Sequence, residues 1–194
     1  MITLSATPVV HSPHRRPVLF VVVGVLLAAV VAGLVAAVAV AGSPARVFDA
    51  PFVPDAENGH LESSVSLSDL DVPAIARLDP VLRTAMTDAE TAAGMRFDIT
   101  SGWRSAEYQQ WLFDDAVRVY ASEEVARQFV ATPERSHHVT GNAVDVGNLD
   151  AQLWLQQHGA QWGLCQIYAN ERWHFEIATT PGGTCPAQLP DAAG

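Results

Sequence analysis

The chain has 194 residues with 11 basic and 21 acidic side chains, so its formal net charge at neutral pH is −10. A nucleic-acid-binding protein needs a basic surface to neutralise phosphates, and this charge balance argues against that class. The length suits one folded domain of ordinary size together with an additional segment.

The additional segment is an apolar run near the N-terminus. Residues 18–41 contain no charged or strongly polar side chain, and as a helix these 24 residues would be about 36 Å long, enough to cross a bilayer. Arg15 and Arg16 precede the run, whereas all 21 carboxylates follow it. The positive-inside rule therefore predicts a single-pass protein of the cell membrane, with residues 1–17 in the cytoplasm and the chain from residue 42 onward outside.

A cleaved signal peptide is the alternative interpretation of this run. The tripeptides Ala37-Val38-Ala39 and Ala39-Val40-Ala41 resemble small-residue cleavage sites. The run is longer than the usual apolar region of about 7–15 residues, which favours an uncleaved anchor. Under either interpretation the remainder is exported, and its nine arginines against 21 carboxylates disfavour contact with an anionic membrane surface.

Residues 42–70 are rich in Pro, Gly and Ser and have little periodicity, so we expect a linker that holds the following domain off the membrane. From residue 72 to residue 93, apolar side chains recur at intervals of three and four, which predicts a helix that ends at Gly94. Residues 95–100 alternate between apolar and polar side chains, as a half-buried strand does.

Later segments continue this mixture of helices and strands. We predict helices at 105–120, at 123–130 with Ser122 as its cap, and from Asp150 as cap to about 157, and strands at 142–146, 165–168 and 173–177. Helices gather in the first half and strands in the second. This order predicts an α+β domain over residues 71–194, with a small, mainly antiparallel sheet flanked by helices.

Both cysteines, Cys165 and Cys185, lie in the exported part. An isolated pair in an oxidising compartment most simply forms a disulfide, and closing so short a loop would contribute about 3 kcal/mol. Two unpaired core cysteines are the alternative interpretation.

Imidazole and carboxylate side chains gather beside the predicted strands of the second half. They are His137, His138, Asp145, Glu171 and His174. These groups form the ligand set of a catalytic zinc site, in which three protein ligands leave one position open to water. His138 and Asp145 bracket a loop that enters a strand, and Glu171 stands three positions before His174, so the side chains are able to converge. The pattern predicts metal-assisted hydrolysis.

Three motifs in this region resemble a known enzyme family. Residues 136–145, Ser-His-His-Val-Thr-Gly-Asn-Ala-Val-Asp, match the S-x-H-x-x-G-x-A-x-D pattern of the zinc-dependent D-alanyl-D-alanine carboxypeptidases and dipeptidases of the VanY/VanX type. Residues 171–174, Glu-Arg-Trp-His, look like that family's E-x-W-H element, and residues 101–105, Ser-Gly-Trp-Arg-Ser, resemble its S-G-Y-R-S. The resemblance spans about residues 95–177, with the motifs in family order, and implies the fold shared by these carboxypeptidases and hedgehog-like domains.

The resemblance implies that His138, Asp145 and His174 bind one zinc ion. His137 is the alternative to His138, but the family spacing selects His138, and adjacent side chains of an extended loop point apart. For Asp145, the alternative is a strand-end residue that accepts hydrogen bonds from backbone amides.

The same resemblance assigns the remaining roles. It implies that Glu171 is the general base, and that Arg104 stabilises the oxyanion or holds a substrate carboxylate. Ser136 and Gln109 are further candidates for substrate contacts, Gln109 because Glu107-Tyr108-Gln109 resembles the carboxypeptidase branch. A structural ion pair is the alternative role for Arg104.

The chain departs from the family pattern at two positions. Trp103 replaces the usual Tyr, and Arg172 stands where Pro is common. Arg172 adds a cation beside Glu171, and this adjacency predicts a lowered pKa of Glu171.

The function that the resemblance implies is release of terminal D-alanine from peptidoglycan stem peptides by a membrane-anchored zinc metallopeptidase. Two alternatives remain open: a hydrolase that cuts another stem or cross-bridge bond, and a zinc-containing domain that binds wall peptides without cutting them.

Overall fold

A four-stranded antiparallel sheet lies at the centre of the structure, a computed structural model that describes residues 52–194. The predicted cytoplasmic segment 1–17 and the predicted transmembrane helix 18–41 lie outside the described residues. Between residues 52 and 194, no helix has the length and apolar character needed to cross a membrane.

Four of the five α-helices precede the second strand, and three of the four strands lie in the second half of the described chain. The helices are α1 (Pro73–Ala76), α2 (Pro80–Ala93), α3 (Ala106–Tyr120), α4 (Glu123–Arg127) and α5 (Leu149–His158). The strands are β1 (Ile99–Ser101), β2 (Ala143–Val146), β3 (Leu164–Gln166) and β4 (His174–Ile177). They are ordered β1-β2-β4-β3 with every neighbouring pair antiparallel, so the predicted α+β fold with a small antiparallel sheet is confirmed.

The helix predicted over residues 72–93 is two helices, α1 and α2. Pro80 lacks the N–H that a continuous helix needs, and the Asp79 carboxylate accepts hydrogen bonds from the backbone N–H groups of Val81 and Leu82. A new helix therefore starts at Pro80. Gly94 ends α2 in the left-handed conformation, as predicted.

Two other helix ends differ from the sequence-based prediction. Helix α4 ends at Arg127, before the predicted residue 130. Helix α5 has Asn148 at its N-cap position, so Asp150 lies in the first turn, where its charge still complements the helix dipole.

The folded unit begins earlier than the predicted boundary at residue 71. Val65 pairs with Ile99 of β1 through two backbone hydrogen bonds of 2.9 and 3.0 Å, and Leu67 is buried in the main core. A single bridge and one buried leucine leave no alternation long enough to predict from sequence. The described part of the expected linker, residues 52–70, therefore packs as part of the domain.

The pairing register of β2 and β4 brings the polar side chains of the two strands to one face of the sheet. Asp145 lies directly opposite His174, and Ala143 lies opposite Glu176. Because side chains alternate along a strand, the intervening pair, Val144 and Phe175, faces the other side of the sheet. That other side is the main core, where the two strands meet apolar side chains of α1, α2 and α5, including Ile75, Leu82, Met86 and Leu155.

A disulfide joins Cys165 of β3 to Cys185, as predicted. It ties the C-terminal segment to the sheet. Beyond it, Leu189 forms a parallel bridge with Tyr168, which holds the segment beside the chain that follows β3. The predicted disulfide is therefore a tether for the last residues of the chain.

Replacing Cys185 with serine is expected to lower the melting temperature by about 6–12 °C. The cross-link spans 20 residues, a loop whose closure is worth about 3 kcal/mol, and each kcal/mol corresponds to about 2–4 °C in a domain of this size. Differential scanning calorimetry measures the change. As a control, a reductant should lower the wild type to the temperature of the variant without affecting the variant; equal melting temperatures without reductant would contradict the prediction.

Candidate metal centre and substrate cleft

Three buried donor atoms converge where β2, β4 and the loop before β2 meet. His138 Nε2 lies 3.2 Å from His174 Nδ1 and 3.5 Å from Asp145 Oδ1, and His174 Nδ1 lies 3.3 Å from the same Asp145 oxygen. All three residues are buried. They are the three residues predicted as metal ligands, and within residues 52–194 they form the one His, Cys, Asp or Glu group whose ligand atoms lie close enough to share an ion.

The loop before β2 holds His138 in place. Its Nδ1 pairs with the carbonyl oxygen of Gly102 at 2.8 Å, which directs Nε2 towards the other two donors. The loop turns at Gly141, whose φ of +76° suits glycine, and a Cβ there would lie 2.4 Å from the Arg77 carbonyl oxygen. The backbone N–H of Asp79 donates to the Gly141 carbonyl, which fixes the turn against the α1–α2 junction.

Glu176 holds His174 from the opposite side. One carboxylate oxygen lies 2.7 Å from His174 Nε2, and the other pairs with His137 Nδ1. Burial raises the pKa of Glu176, but the two imidazoles outweigh burial and lower it to about 2. His137 therefore supports the site through Glu176, and the structure places His138, not His137, among the three donors.

The three donors fit a zinc ion. Ligands about 2.0–2.1 Å from a tetrahedral zinc lie about 3.3 Å apart, which matches the three measured separations. Asp145 Oδ1 is buried, and within the described chain no group makes a hydrogen bond to it. The outer nitrogen of each imidazole has a partner, so the inner nitrogens are the ones that can ligate an ion once they carry no proton. Three such atoms at these distances attract positive charge, either a proton on His174 or a metal ion.

The pKa values of the two imidazoles are shifted in opposite directions. Burial lowers the pKa of His174, but Asp145 and Glu176 outweigh it and raise that pKa to about 9. Burial and the nearby Arg104 guanidinium lower the pKa of His138 to about 4, which leaves its imidazole neutral and able to ligate.

Glu171 lies next to the three donor residues but is not one of the group that could share an ion. Its carboxylate lies 3.7 Å from His174 Nδ1 and lines the adjoining cavity. Burial raises the pKa of Glu171 to about 7, although His174 and Arg104 lower it. The expectation that Arg172 lowers this pKa is wrong, because Arg172 is exposed and burial is the dominant effect.

Arg104 is held by three side chains. Its guanidinium donates to Asp145 Oδ2 at 2.9 Å, to Gln109 Oε1 at 3.0 Å and to Ser101 Oγ at 2.8 Å. The ion pair with Asp145 is nearly buried. Arg104 is therefore an ion-pair partner, which was the alternative role, and it also lies at the metal centre. Gln109 is itself buried and also donates to the Ala131 carbonyl, so its amide holds Arg104; its predicted contact with substrate stays a prediction.

A cavity of about 180 Å³ opens beside the donors. Ser136 lines it together with Arg104 and Glu171, which places the predicted substrate residue at the site. Apolar side chains, among them Phe129 and Ala192, complete the wall. The cavity is thus small and is lined by both polar and apolar side chains.

Sequence reasoning missed Glu176. The signal was present, because His174 and Glu176 are two residues apart on one strand and therefore share a face. The carbonyl of Gly102 was not detectable in this way, since a backbone group carries no sequence signal. Tyr168, whose ring centroid lies 5.1 Å from that of His174, was likewise not singled out.

Comparison with known proteins gives one family and several relatives. The family model described as VanY, D-alanyl-D-alanine carboxypeptidase, matches residues 81–180. A D-alanyl-D-alanine carboxypeptidase from Enterococcus faecalis is 29% identical over 134 residues, which are 56% of this chain and 49% of that protein. The chain therefore spans about half the length of this curated relative.

Two solved structures match part of the chain. A variant of the vancomycin resistance D,D-pentapeptidase VanY, in complex with Zn(II), is 25% identical and is matched over 51% of this chain and 71% of that one, with a TM-score of 0.46. DacB from Streptococcus pneumoniae is 31% identical over 51% of this chain and 65% of that one, with a TM-score of 0.41.

Replacing Glu176 with glutamine is expected to weaken zinc binding by about 10–100-fold. The change keeps the shape of the side chain but removes the negative charge that orients His174, and loss of such a partner typically costs this much affinity. Competition with a chromogenic chelator measures the dissociation constant. Glu107→Gln, which makes the same change at an exposed position of α3, is the control. Unchanged affinity in a folded Glu176→Gln protein would show that Glu176 does not support the metal site.

Proposed function

Because the chain belongs to the VanY family of D-alanyl-D-alanine carboxypeptidases, we propose that it is a zinc-dependent peptidase that releases the C-terminal D-alanine from peptidoglycan stem peptides outside the cell. The observation that carries the proposal is the convergence of His138, Asp145 and His174 within 3.5 Å beside the Glu171 carboxylate. The name of the Enterococcus relative supports the choice of reaction.

His138, Asp145 and His174 would hold the zinc ion. When bound, zinc supplies Lewis acidity, which polarises a peptide carbonyl and makes water reactive near neutral pH without a protein nucleophile. Glu171 accepts the proton of the attacking water and then delivers it to the leaving amine. Its place next to His174 Nδ1 puts the carboxylate at the edge of the metal centre, where such a transfer is needed.

Arg104 acts on both the site and the substrate in this proposal. Three of its N–H groups hold Ser101, Gln109 and Asp145, and a guanidinium has five, so two remain for a substrate carbonyl or carboxylate. Ser136 lines the same cavity and would add a hydrogen bond to the peptide.

The size of the first cavity fits a small leaving residue. A volume of about 180 Å³ is small beside the roughly 300–1,000 Å³ of most ligand pockets. The apolar wall formed by Phe129, Val130 and Ala192 suits a methyl side chain and disfavours a charged one.

The first test is release of D-alanine from a synthetic stem pentapeptide by the purified protein. Release should stop with a chelator and return with added zinc. Glu171→Ala is expected to retain zinc while losing about 10²–10⁴-fold in kcat, since the variant lacks its proton acceptor. His138→Ala should lose both zinc and activity.

Other outcomes would identify another function. Full activity of either variant would overturn the mechanism. If a zinc-loaded protein does not cleave the pentapeptide but cleaves cross-linked muropeptides, another wall bond is the substrate. If it binds wall peptides and cleaves none, the domain is a binding module.

We also propose that residues 18–41 anchor the protein in the cell membrane with the peptidase domain outside. The support is the apolar run and the arginines before it, both features of the sequence. In fractionated cells the full chain should sediment with membranes and resist extraction by high salt. Protease added to intact spheroplasts should degrade the domain; a protected domain or a chain released by salt would contradict the anchor.

A further inference from the structure

A second cavity, of about 420 Å³, adjoins the first. Arg104, Leu112, Asp145 and Trp173 line both cavities, so the two are neighbouring chambers that share a wall at the metal centre. The second chamber is more than twice as large as the first. A peptide that reaches the metal centre from the first chamber therefore has space to continue on the other side.

The outer wall of the second chamber comes from the N-terminal segment 55–61, which precedes the family region 81–180. The Asp55 carboxylate caps the turn Ala56–Asn58, and the Asn58 carbonyl accepts a hydrogen bond of 2.9 Å from the backbone N–H of Ser105. Gly59 has a φ of +89°, and a Cβ there would lie 2.1 Å from the Trp103 carbonyl oxygen. The segment is thus docked directly on the loop that carries Arg104.

His60 is the polar group that this segment contributes to the chamber. Its Nδ1 lies 3.0 Å from the Tyr108 hydroxyl, and the two rings meet edge to face with centroids 5.6 Å apart. These contacts fix the imidazole plane. Within residues 52–194, Nε2 of His60 makes no hydrogen bond, so this nitrogen is available to a ligand.

The remaining walls indicate an uncharged occupant. Arg104 and Asp145 form an ion pair at 2.9 Å and neutralise each other. The other groups that line the chamber are hydroxyls, apart from His60, and apolar side chains, the latter including Leu61 and Trp173. An ionised side chain would find no unpaired counter-charge there, whereas a peptide main chain can hydrogen-bond to the hydroxyls, to His60 and to the remaining N–H groups of Arg104.

We propose that this second chamber is the subsite for the uncharged peptide main chain upstream of the scissile bond, and that His60 is a specificity-determining residue that hydrogen-bonds to it. The proposal rests on the carboxypeptidase activity proposed above. It predicts that the enzyme prefers long peptides to short ones, and that His60 supplies part of the preference.

The test compares two substrates, an acetylated pentapeptide and an acetylated dipeptide, both ending in D-Ala-D-Ala. The ratio of their kcat/KM values is the measured quantity. His60→Ala is expected to lower this ratio by about fivefold, as the loss of one hydrogen bond implies. Tyr108→Phe, which removes the hydroxyl that holds the imidazole, should lower it in the same direction. Glu62→Ala, at an exposed position of the same segment, is the control.

A purely structural role for His60 would reduce both kcat/KM values by the same factor. An unchanged ratio in His60→Ala would therefore overturn the proposal. Calorimetric binding of both peptides to Glu171→Gln, with and without His60→Ala, tests the subsite without hydrolysis. If no peptide is cleaved but His60→Ala weakens binding of the long peptide selectively, the subsite stands and the proposed activity fails. If long and short peptides bind equally, the subsite fails.

Discussion

Two imidazole nitrogens and one carboxylate oxygen face one another within 3.5 Å in the interior of the domain. Burying such a cluster is costly unless positive charge, a proton on His174 or a metal ion, lies within it. The surrounding structure therefore has to impose the arrangement. The antiparallel register of β2 and β4 sets Asp145 opposite His174, and the glycine turn before β2 adds His138.

Each of the three donors is also held from its far side. Glu176 pairs with the outer nitrogen of His174, the Gly102 carbonyl pairs with the outer nitrogen of His138, and Arg104 pairs with the second oxygen of Asp145. These contacts fix which atom of each side chain points inward. Arg104 links this support to the substrate cleft, because the same guanidinium lines both chambers. A change in the position of Arg104 would therefore affect both Asp145 and the lining of the cleft.

Segments outside the family region build the two ends of the cleft. The N-terminal segment brings His60 to the larger chamber, and the C-terminal segment, tethered by the disulfide, brings Ala192 to the smaller one. A family core can keep one reaction while its flanking segments change the walls that select the substrate. We infer that specificity in this chain depends strongly on residues that the family motifs do not include.

The sequence by itself determined the α+β class and the disulfide, and the resemblance of its motifs to a known family pointed to the three residues whose donor atoms the structure brings together. Those features follow from periodicity, from an isolated cysteine pair and from motifs that resemble the family's, all of which are local along the chain. Only the tertiary structure showed that Glu176 pairs with His174, and that Tyr108 and His60 pair with each other in the wall of the larger chamber. His60 and Tyr108 are 48 positions apart, and no local pattern reports a contact that forms when distant segments pack. The sequence also did not show that the folded unit begins before residue 71. Leu67 is recognisable as a core residue only once β1 and the helices surround it.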